Sequence, residues 1–209
     1  MTGGRSRDAM ATSAPPSSVT GGILLLAAGY SRRFGAVKLG ASLHNGDTVV
    51  GRTLLQIRQA SPLVRIVTRP ELRDLLLHSG AHPEELLICH DAELGMGHTL
   101  AAGMVQIPAW DACLVCLADM PFIRPDTYSR LLLALQPDRI TMPTFHGQTG
   151  NPVGFGSDWF DVLRRCTGDA GAREVVRGNP KRIDYLEIND PAILKDIDTP
   201  DDLARHQAG

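Results

Sequence analysis

Residues 23–38 read ILLLAAGYSRRFGAVK, and this stretch decides how the rest of the sequence is interpreted. Its opening apolar run, residues 23–26, predicts a short buried strand. The small residues at 27–29 leave little side-chain bulk between the backbone N–H groups and an approaching anion, while Arg33 and Lys38 add positive charge. The stretch therefore predicts a strand followed by a loop that cradles a triphosphate. An ordinary strand–turn–helix, whose glycines only make the turn, is the alternative.

The loop differs from two familiar phosphate-binding motifs. It lacks both the Gly-Lys-Ser/Thr ending of a P-loop and the G-x-G-x-x-G of a dinucleotide-binding fold. Composition narrows the ligand further, because 21 Lys and Arg against 23 Asp and Glu give a formal net charge of −2. Without a broad basic surface we do not expect a nucleic-acid partner, and a few focused cations suit a small nucleotide better.

The first 20 residues are rich in Gly, Pro, Ser and Thr and contain few large apolar side chains. Burial cannot offset the entropy of ordering them, so we expect a disordered tail over 1–20 and one domain over 21–209. No stretch has the length and hydrophobicity of a transmembrane helix or of a signal-peptide core. We therefore expect no membrane partner and a cytoplasmic location.

From residue 23 onward, apolar runs alternate with amphipathic helical segments, a pattern typical of a largely parallel sheet with helices on both faces. The predicted strands cover 23–26, 64–68, 86–89, 112–117, 139–143 and 153–155. The predicted helices cover 48–60, 71–79, a segment after Gly97, and 125–135. We expect the last two strands at a mixed edge of the sheet, where an acceptor substrate could be held.

Asp119 directly follows the most hydrophobic predicted strand, which Pro121 ends. In open α/β sheets, ligands lie beyond the carboxyl ends of the strands. Mg²⁺ prefers one or two carboxylates together with phosphate oxygens and water, so Asp119 is a candidate Mg²⁺ ligand. The alternative is a cap for the helix that starts near Pro125, but Asp126 lies nearer that start.

Residues 94–103 read LGMGHTLAAG, a glycine-rich turn that opens a helix after the third predicted strand. This position places the turn at the same edge of the sheet as the first loop, where it could form a second wall of the ligand site. A helix start whose glycines only make the turn is the alternative that the residues alone favour. The nearby His90, Asp91, Glu93 and His98 match no zinc spacing and are interpreted as polar loop residues.

Cys113 and Cys116 form a Cys-x-x-Cys pattern inside an apolar strand, where residues three apart point to opposite faces. No second ligand pair follows at metal-binding spacing. We therefore interpret all four cysteines, with Cys89 and Cys166, as small core residues and expect no metal on sulfur.

The loop over 26–38 matches the pattern Leu-Ala-Ala-Gly-x-Ser-x-Arg-Phe-Gly-x-x-Lys, which resembles the signature loop of the MobA-like nucleotidyltransferases, most of all the molybdenum cofactor cytidylyltransferases. Asp-Met-Pro at 119–121 and Asp-Ile-Asp-Thr-Pro-Asp-Asp-Leu at 196–203 resemble further motifs of the family, in the family's order. The resemblance spans nearly all of residues 22–205. It implies a Rossmann-like three-layer α/β/α domain with a mostly parallel mixed sheet, and the transfer of a nucleotide with release of pyrophosphate.

The resemblance also implies which residues form the site. The catalytic residues would be Arg33, Lys38 and Asp119, and the Mg²⁺ ligands Asp119 and Asp198. The residues that bind the nucleotide would be Leu26, Ala27, Ala28, Gly29, Ser31, Arg33, Lys38, Gly95, Met96, Gly97, His98 and Thr99. The residues that border the acceptor would be Asn151, Pro152, Gly168, Asp169 and Arg173.

Two positions bear on the substrates. Ala27 and Ala28 resemble the cytidylyl branch, since the guanylyl branch typically carries Gly-Gly, and this indicates CTP over GTP. Asn151 stands where the molybdenum cofactor branch of the family commonly has His, so the resemblance does not fix the identity of the acceptor. The resemblance favours transfer of CMP from CTP to the phosphate of molybdopterin or of its molybdenum-loaded form. The alternatives are a cytidylyl- or guanylyltransferase with another phosphorylated acceptor, or a non-catalytic protein that delivers nucleotide or cofactor to a molybdoenzyme or its chaperone.

Overall fold

The computed structural model describes residues 19–31, 34 and 37–207. The tail predicted over 1–20 lies outside these residues except for its last two, so it stays a prediction. Arg33 also lies outside the described residues. In the part of the chain that the structure covers, no helix combines the length and the hydrophobicity needed to cross a membrane.

Strands and helices alternate along the described chain. The strands are β1 (Gly21–Leu26), β2 (Val64–Thr68), β3 (Leu86–Ile88), β4 (Ala112–Leu117), β5 (Ile140–Phe145), β6 (Gln148–Thr149), β7 (Val153–Gly156) and β8 (Ile183–Glu187). The α-helices are α1 (Val49–Ala60), α2 (Arg73–His78), α3 (Met96–Gln106), α4 (Pro125–Leu133), α5 (Phe160–Leu163), α6 (Arg173–Gly178) and α7 (Pro200–Gln207).

The sheet has a parallel half and a mixed half. Neighbouring strands follow the order β3-β2-β1-β4-β7-β5, and the first four are parallel to one another. β7 pairs antiparallel with both β4 and β5. β8 pairs parallel with β5 along its other edge, and β6 forms a hairpin with the end of β5. The predicted mostly parallel, mixed sheet is confirmed.

Helices cover both faces of the sheet because side chains alternate along each strand. In β1, Ile23 and Leu25 belong to an apolar cluster that includes residues of α1, α2 and α4. Leu24 and Leu26 belong to a second cluster, which includes residues of α3, α5 and α6. The result is the predicted three-layer α/β/α arrangement.

The predicted elements agree with the structure in position and differ at their ends. The Thr48 hydroxyl caps α1 by accepting the N–H of Gly51 at 3.0 Å. The helix predicted over 71–79 is a 3-10 turn, Pro70–Leu72, followed by the short α2. α4 ends at Leu133, before the predicted position 135. Helix ends fray, so the sequence pattern places the centre of a helix better than its last turn.

Strand β8 is absent from the sequence prediction. Its five residues include Asp184 and Glu187 and form no apolar run. The strand forms because β5 offers it a free edge, with Ile140 opposite Ile183. Pairing between segments so distant in sequence leaves no local signal.

The cysteines behave as strand geometry predicts. Cys113 and Cys116 belong to different clusters on opposite faces of β4. Cys89 is buried too, but Cys166 is only partly buried, so the predicted core position is wrong for Cys166. Burial raises the pKa of the Cys113 thiol to about 12, so this side chain is an unreactive core thiol at neutral pH.

Candidate active site

The candidate site lies beyond the carboxyl ends of β1 and β4, the central strands of the sheet. The N–H of Ala118 donates to the Leu26 carbonyl at 3.1 Å, and the N–H of Ala27 donates to the Val67 carbonyl at 2.8 Å. The first bond continues the ladder between β1 and β4 past the strand ends, so the loops after these strands start side by side, and the second bond continues the ladder between β1 and β2. A cavity of about 550 Å³ opens there, which we call the charged cavity.

Most residues predicted to bind the nucleotide surround the charged cavity. Those that line it are Leu26, Ala27, Ala28, Gly29, Ser31, Lys38, Gly95, Met96 and Thr99. Gly97 and His98 do not line it, and Arg33 lies outside the described residues. The carboxylates in the lining belong to Glu93, Asp119, Asp169, Asp196 and Asp198. The two glycine-rich loops therefore face one space.

Lys38 joins two carboxylates in the charged cavity. Its Nζ donates to Oδ2 of Asp119 at 2.7 Å and to Oδ1 of Asp198 at 3.0 Å. The Lys38 and Asp119 side chains are only 12% and 18% exposed, so water and salt screen this pair weakly. The other carboxylate oxygen of Asp119, Oδ1, is buried and has no hydrogen-bond partner among the described residues. That oxygen is available to a ligand.

Backbone contacts explain why Asp119 and Asp198 meet. The N–H of Ile197 donates to the Asp119 carbonyl at 3.0 Å, and the Ile197 side chain is fully buried. On the other side, the Asp202 carboxylate accepts the N–H groups of Asp198 and Thr199 at 3.2 and 2.8 Å. Asp198 is thus fixed between a core residue and the first turn of α7.

Burial and ion pairing oppose each other in setting the pKa values of this cluster. Burial lowers the pKa of Lys38, but Asp119 and Asp198 more than compensate, so the net shift is upward. Burial also raises the pKa of Asp119, and the Lys38 ammonium offsets only part of that rise, to which Asp196 adds. Lys38 therefore carries its charge at neutral pH.

The two carboxylates suit a divalent cation that is also bound by phosphate. Among the described residues no group of three or more His, Cys, Asp and Glu is arranged to hold a metal ion. Mg²⁺ is usually held by one or two carboxylates with phosphate oxygens and water. The unpartnered Asp119 Oδ1 is a hard oxygen of the required kind. The chemistry of Asp119 and Asp198 is compatible with the predicted metal site, and their role as ligands stays a prediction.

Gly95 and Gly97 are needed for packing against a neighbouring loop. A Cβ at Gly95 would lie 2.5 Å from the Gly168 carbonyl oxygen, and one at Gly97 would lie 2.4 Å from the Thr167 carbonyl oxygen. The N–H of Gly97 donates to the Gly168 carbonyl at 2.7 Å, and the N–H of Gly168 donates to Nδ1 of His98 at 3.2 Å. These bonds give Gly97, His98 and Gly168 a structural position that the sequence analysis does not foresee.

The loop after β1 is held partly by a residue that the sequence analysis does not single out. Ser31 lies in the left-handed region at φ 51°, and its carbonyl accepts the N–H of Phe34 at 2.9 Å. The Arg69 guanidinium, which follows β2, lies 4.3 Å from the centre of the Tyr30 ring. Tyr30 lines the charged cavity, so Arg69 stabilises the position of a residue in its wall.

A second cavity, of about 530 Å³, adjoins the first over the mixed half of the sheet, and we call it the apolar cavity. The large apolar and aromatic side chains that β5, β7 and β8 contribute to its walls are Met142, Val153, Phe155, Ile183 and Tyr185. Of the residues predicted to border the acceptor, Asn151 and Arg173 line it. Asp169 lines the charged cavity instead, while Pro152 and Gly168 line neither.

One wall separates the two cavities. The residues that line both are Leu26, Met96, Leu117 and Arg173. Ligands in the two cavities would therefore be neighbours, with the end of β1 and the start of α6 between them.

The sheet matches the Rossmann-like α/β fold of solved nucleotidyltransferase structures, which gives the structural class of this protein. Rv0371c from Mycobacterium tuberculosis H37Rv superposes with a TM-score of 0.80 at 24% identity, covering 91% of this chain and 99% of that one. A structure of Rv0371c in complex with manganese gives a TM-score of 0.76 at 21% identity, covering 92% and 100%.

The chain belongs to the MobA-like NTP transferase family, whose domain matches residues 23–184. Purine catabolism protein PucB of Bacillus subtilis is 32% identical over 191 residues, which cover 86% of this chain and 92% of PucB. Nicotine blue oxidoreductase of Paenarthrobacter nicotinovorans is 28% identical over 198 residues, which cover 90% and 95%. The family resemblance of the loop over 26–38 is thereby confirmed.

Proposed function

We propose that this protein transfers CMP from CTP to the terminal phosphate of molybdopterin, or of its molybdenum-loaded form, and releases pyrophosphate. The observation that carries the proposal is the cluster of Lys38 with Asp119 and Asp198. The cavity that holds this cluster shares part of its lining with a second cavity. Membership of the MobA-like family supports nucleotidyl transfer, and the Ala27-Ala28 pair supports CTP.

The proposed reaction needs alignment and charge neutralisation rather than a protein nucleophile. An oxygen of the acceptor phosphate attacks the α-phosphorus of CTP, a new P–O bond forms, and the bond from that phosphorus to the bridging oxygen of pyrophosphate breaks. Lys38 is already protonated, so its ammonium can stabilise the negative charge of the triphosphate and the charge that develops on the leaving pyrophosphate. Small residues at 27–29 let backbone N–H groups approach the phosphates.

Asp119 and Asp198 would hold Mg²⁺ together with triphosphate oxygens. A bound Mg²⁺ supplies neutralising charge on the triphosphate and so favours loss of pyrophosphate. The manganese complex of Rv0371c supports a divalent cation on this fold. The protein's own part is to fix the Asp119 backbone through the Ile197 N–H and to hold Oδ2 of the carboxylate through Lys38, which leaves Oδ1 free of other partners.

The shared wall supports a transfer between neighbouring ligands. Arg173 lines both cavities, so it can contact the acceptor phosphate at the border with the nucleotide. The apolar side chains of the second cavity suit the body of a large organic acceptor. The product would be passed on to a molybdoenzyme or its chaperone.

The proposal is tested by measuring pyrophosphate release from each of the four ribonucleoside triphosphates with Mg²⁺, with and without molybdopterin. We expect release to require molybdopterin and to be fastest with CTP. If CTP releases pyrophosphate only when another phosphorylated acceptor is added, the proposed cytidylyl transfer stands and molybdopterin is the wrong acceptor. No release with any triphosphate, but tight binding of CTP or molybdopterin, would favour the non-catalytic delivery protein.

A further inference from the structure

The charged residues that line the apolar cavity are Arg173 and Arg177. They stand four residues apart on α6, so they lie one turn apart on the same side of the helix. No Asp or Glu lines this cavity among the described residues, in contrast to the acidic lining of the charged cavity. The apolar cavity therefore combines apolar walls with positive charge, and Arg177 is separated from the carboxylates that Arg173 shares a cavity with.

Neither arginine side chain has an ion pair or a hydrogen bond to any other residue in the described ranges 19–31, 34 and 37–207. Other arginines of this half are paired: Arg139 binds Asp184, and Arg182 binds Asp138 at 3.0 Å. A guanidinium that lines a cavity without a carboxylate partner is available to an anionic ligand, and its planar donors suit carboxylate, phosphate and similar groups.

The two arginines differ in position. Arg173 lies on the wall shared with the charged cavity, next to the proposed site of transfer. Arg177 lines only the apolar cavity, together with Pro180 and the exposed Tyr185. A single reacting phosphate at the shared wall accounts for Arg173 and leaves Arg177 without a ligand.

We propose that Arg177 determines acceptor specificity by pairing with a second anionic group of the acceptor, one turn of α6 away from the reacting phosphate. The inference rests on the proposed function, because it assigns the acceptor to the apolar cavity. The substrate class it names is an organic molecule with an apolar or flat body and two separated anionic groups. Apolar walls bind the body, Arg173 contacts the group that reacts, and Arg177 contacts the group that does not.

Steady-state kinetics test this role with Arg177→Gln, which removes the charge and keeps much of the length of the side chain. We expect KM for molybdopterin to rise about tenfold or more, while KM for CTP and kcat stay near wild type. Arg165→Gln is the matched control, because Arg165 is an exposed arginine that lines neither cavity. Arg177→Lys should recover part of the loss. An unchanged KM for molybdopterin in Arg177→Gln would overturn the proposal.

A binding experiment separates this inference from the proposed reaction. Calorimetry compares naphthalene-1,5-disulfonate with naphthalene-1-sulfonate, which share a flat apolar body and differ in the number of anionic groups. We expect wild type and Arg165→Gln to bind the disulfonate about tenfold more tightly than the monosulfonate, and Arg177→Gln to bind both equally.

The two experiments fail in distinguishable ways. If molybdopterin supports no transfer but the disulfonate preference depends on Arg177, the proposed acceptor is wrong and the dianion site stands. If transfer proceeds and the disulfonate preference is the same in Arg177→Gln as in Arg165→Gln, the dianion site is wrong. Because Arg177 is exposed, we expect both variants to unfold at the wild-type temperature, which circular dichroism checks.

Discussion

The two halves of the sheet present different chemistry to neighbouring cavities. The parallel half, β3 to β4, ends at the charged cavity, where carboxylates surround Lys38. The mixed half, β7, β5 and β8, backs the apolar cavity, whose charged residues are arginines. Carboxylates thus line one cavity, Arg177 lines the other, and Arg173 lies in the wall that both share. Under the proposed function, the local placement of these charges, and not the overall charge of −2, would let one small domain bind two anions side by side.

The largest expected effect comes from removing a charge on the parallel side. Asp119→Asn should lower turnover by at least about a thousandfold, because a divalent cation contributes several kcal/mol and a neutral amide is a poor ligand for it. The variant should still fold and should bind naphthalene-1,5-disulfonate like wild type. Asp126→Asn, an exposed acid on α4, is the control. Wild-type turnover in Asp119→Asn would show that this carboxylate holds no catalytic cation.

Lys38→Ala should weaken CTP binding by about 10- to 100-fold, since charge-assisted hydrogen bonds are worth about 1.5–3 kcal/mol. Binding of cytidine, which lacks the phosphates, should hardly change. Isothermal titration with both ligands gives the comparison, with the exposed Lys181→Ala as control. From the sequence we predict the same selectivity for Arg33→Ala. Equal losses for CTP and cytidine would mean that the lysine only supports the fold.

Gly97→Ala tests the close packing of the start of α3 against the loop that contains Thr167. The new Cβ would lie 2.4 Å from a backbone oxygen, so the loop must shift. We expect a loss of about 1–3 kcal/mol of unfolding free energy, measured by urea denaturation. Gly178→Ala is the matched control, because a Cβ there meets no atom within 4 Å. Equal stability of the two variants would contradict the proposed packing role.

The Ala27-Ala28 pair tests nucleotide selection on the parallel side. Both residues are buried and line the charged cavity, so replacing both with Gly should enlarge it next to β1. We expect the ratio of kcat/KM for CTP to that for GTP to fall by up to about tenfold. The added backbone freedom should cost about 1 kcal/mol per substitution. An unchanged ratio in a folded, active double variant would refute base selection by this pair.

The smallest effect is expected at the outer edge of the mixed half. Hydrogen bonds from Arg139 lower the pKa of the Asp184 carboxyl in the folded protein. A lowered folded pKa means that the pair stabilises the protein above the unfolded value, about 3.9, and that this contribution is lost as pH falls through the folded value. Asp184→Asn should therefore lower Tm slightly at pH 7 and match wild type in strong acid. Melting curves from pH 2 to 7 check this, and a pH-independent difference would contradict it.

The sequence predicts the parallel half well because its signals are local. Apolar runs mark β1 and β4, and Thr48 marks the start of α1 at the residue where the structure has its cap. The position of Asp119 after β4 follows from strand polarity alone. Its contact with Lys38 does not, because it depends on chain segments that meet only through tertiary packing.

The mixed half is predicted less well for the same physical reason. β8 takes its hydrogen bonds from β5, and α6 has too few residues to show a helical period, so neither Tyr185 nor Arg177 could be placed in advance. Gly95 and Gly97 carry a further lesson. The family resemblance implies a ligand-binding turn here, whereas the residues alone favour a plain helix start, and a Cβ at either glycine would meet another loop of the same chain.

The shared wall also has a kinetic consequence. A cytidylylated product would keep the nucleotide on one side of Leu26 and Leu117 and the acceptor on the other, so it would fill both cavities at once. It would lose only the contacts made by the departing pyrophosphate. We therefore expect the product to inhibit competitively against each substrate and to leave slowly, so that its removal by the next protein would govern the flux through the enzyme.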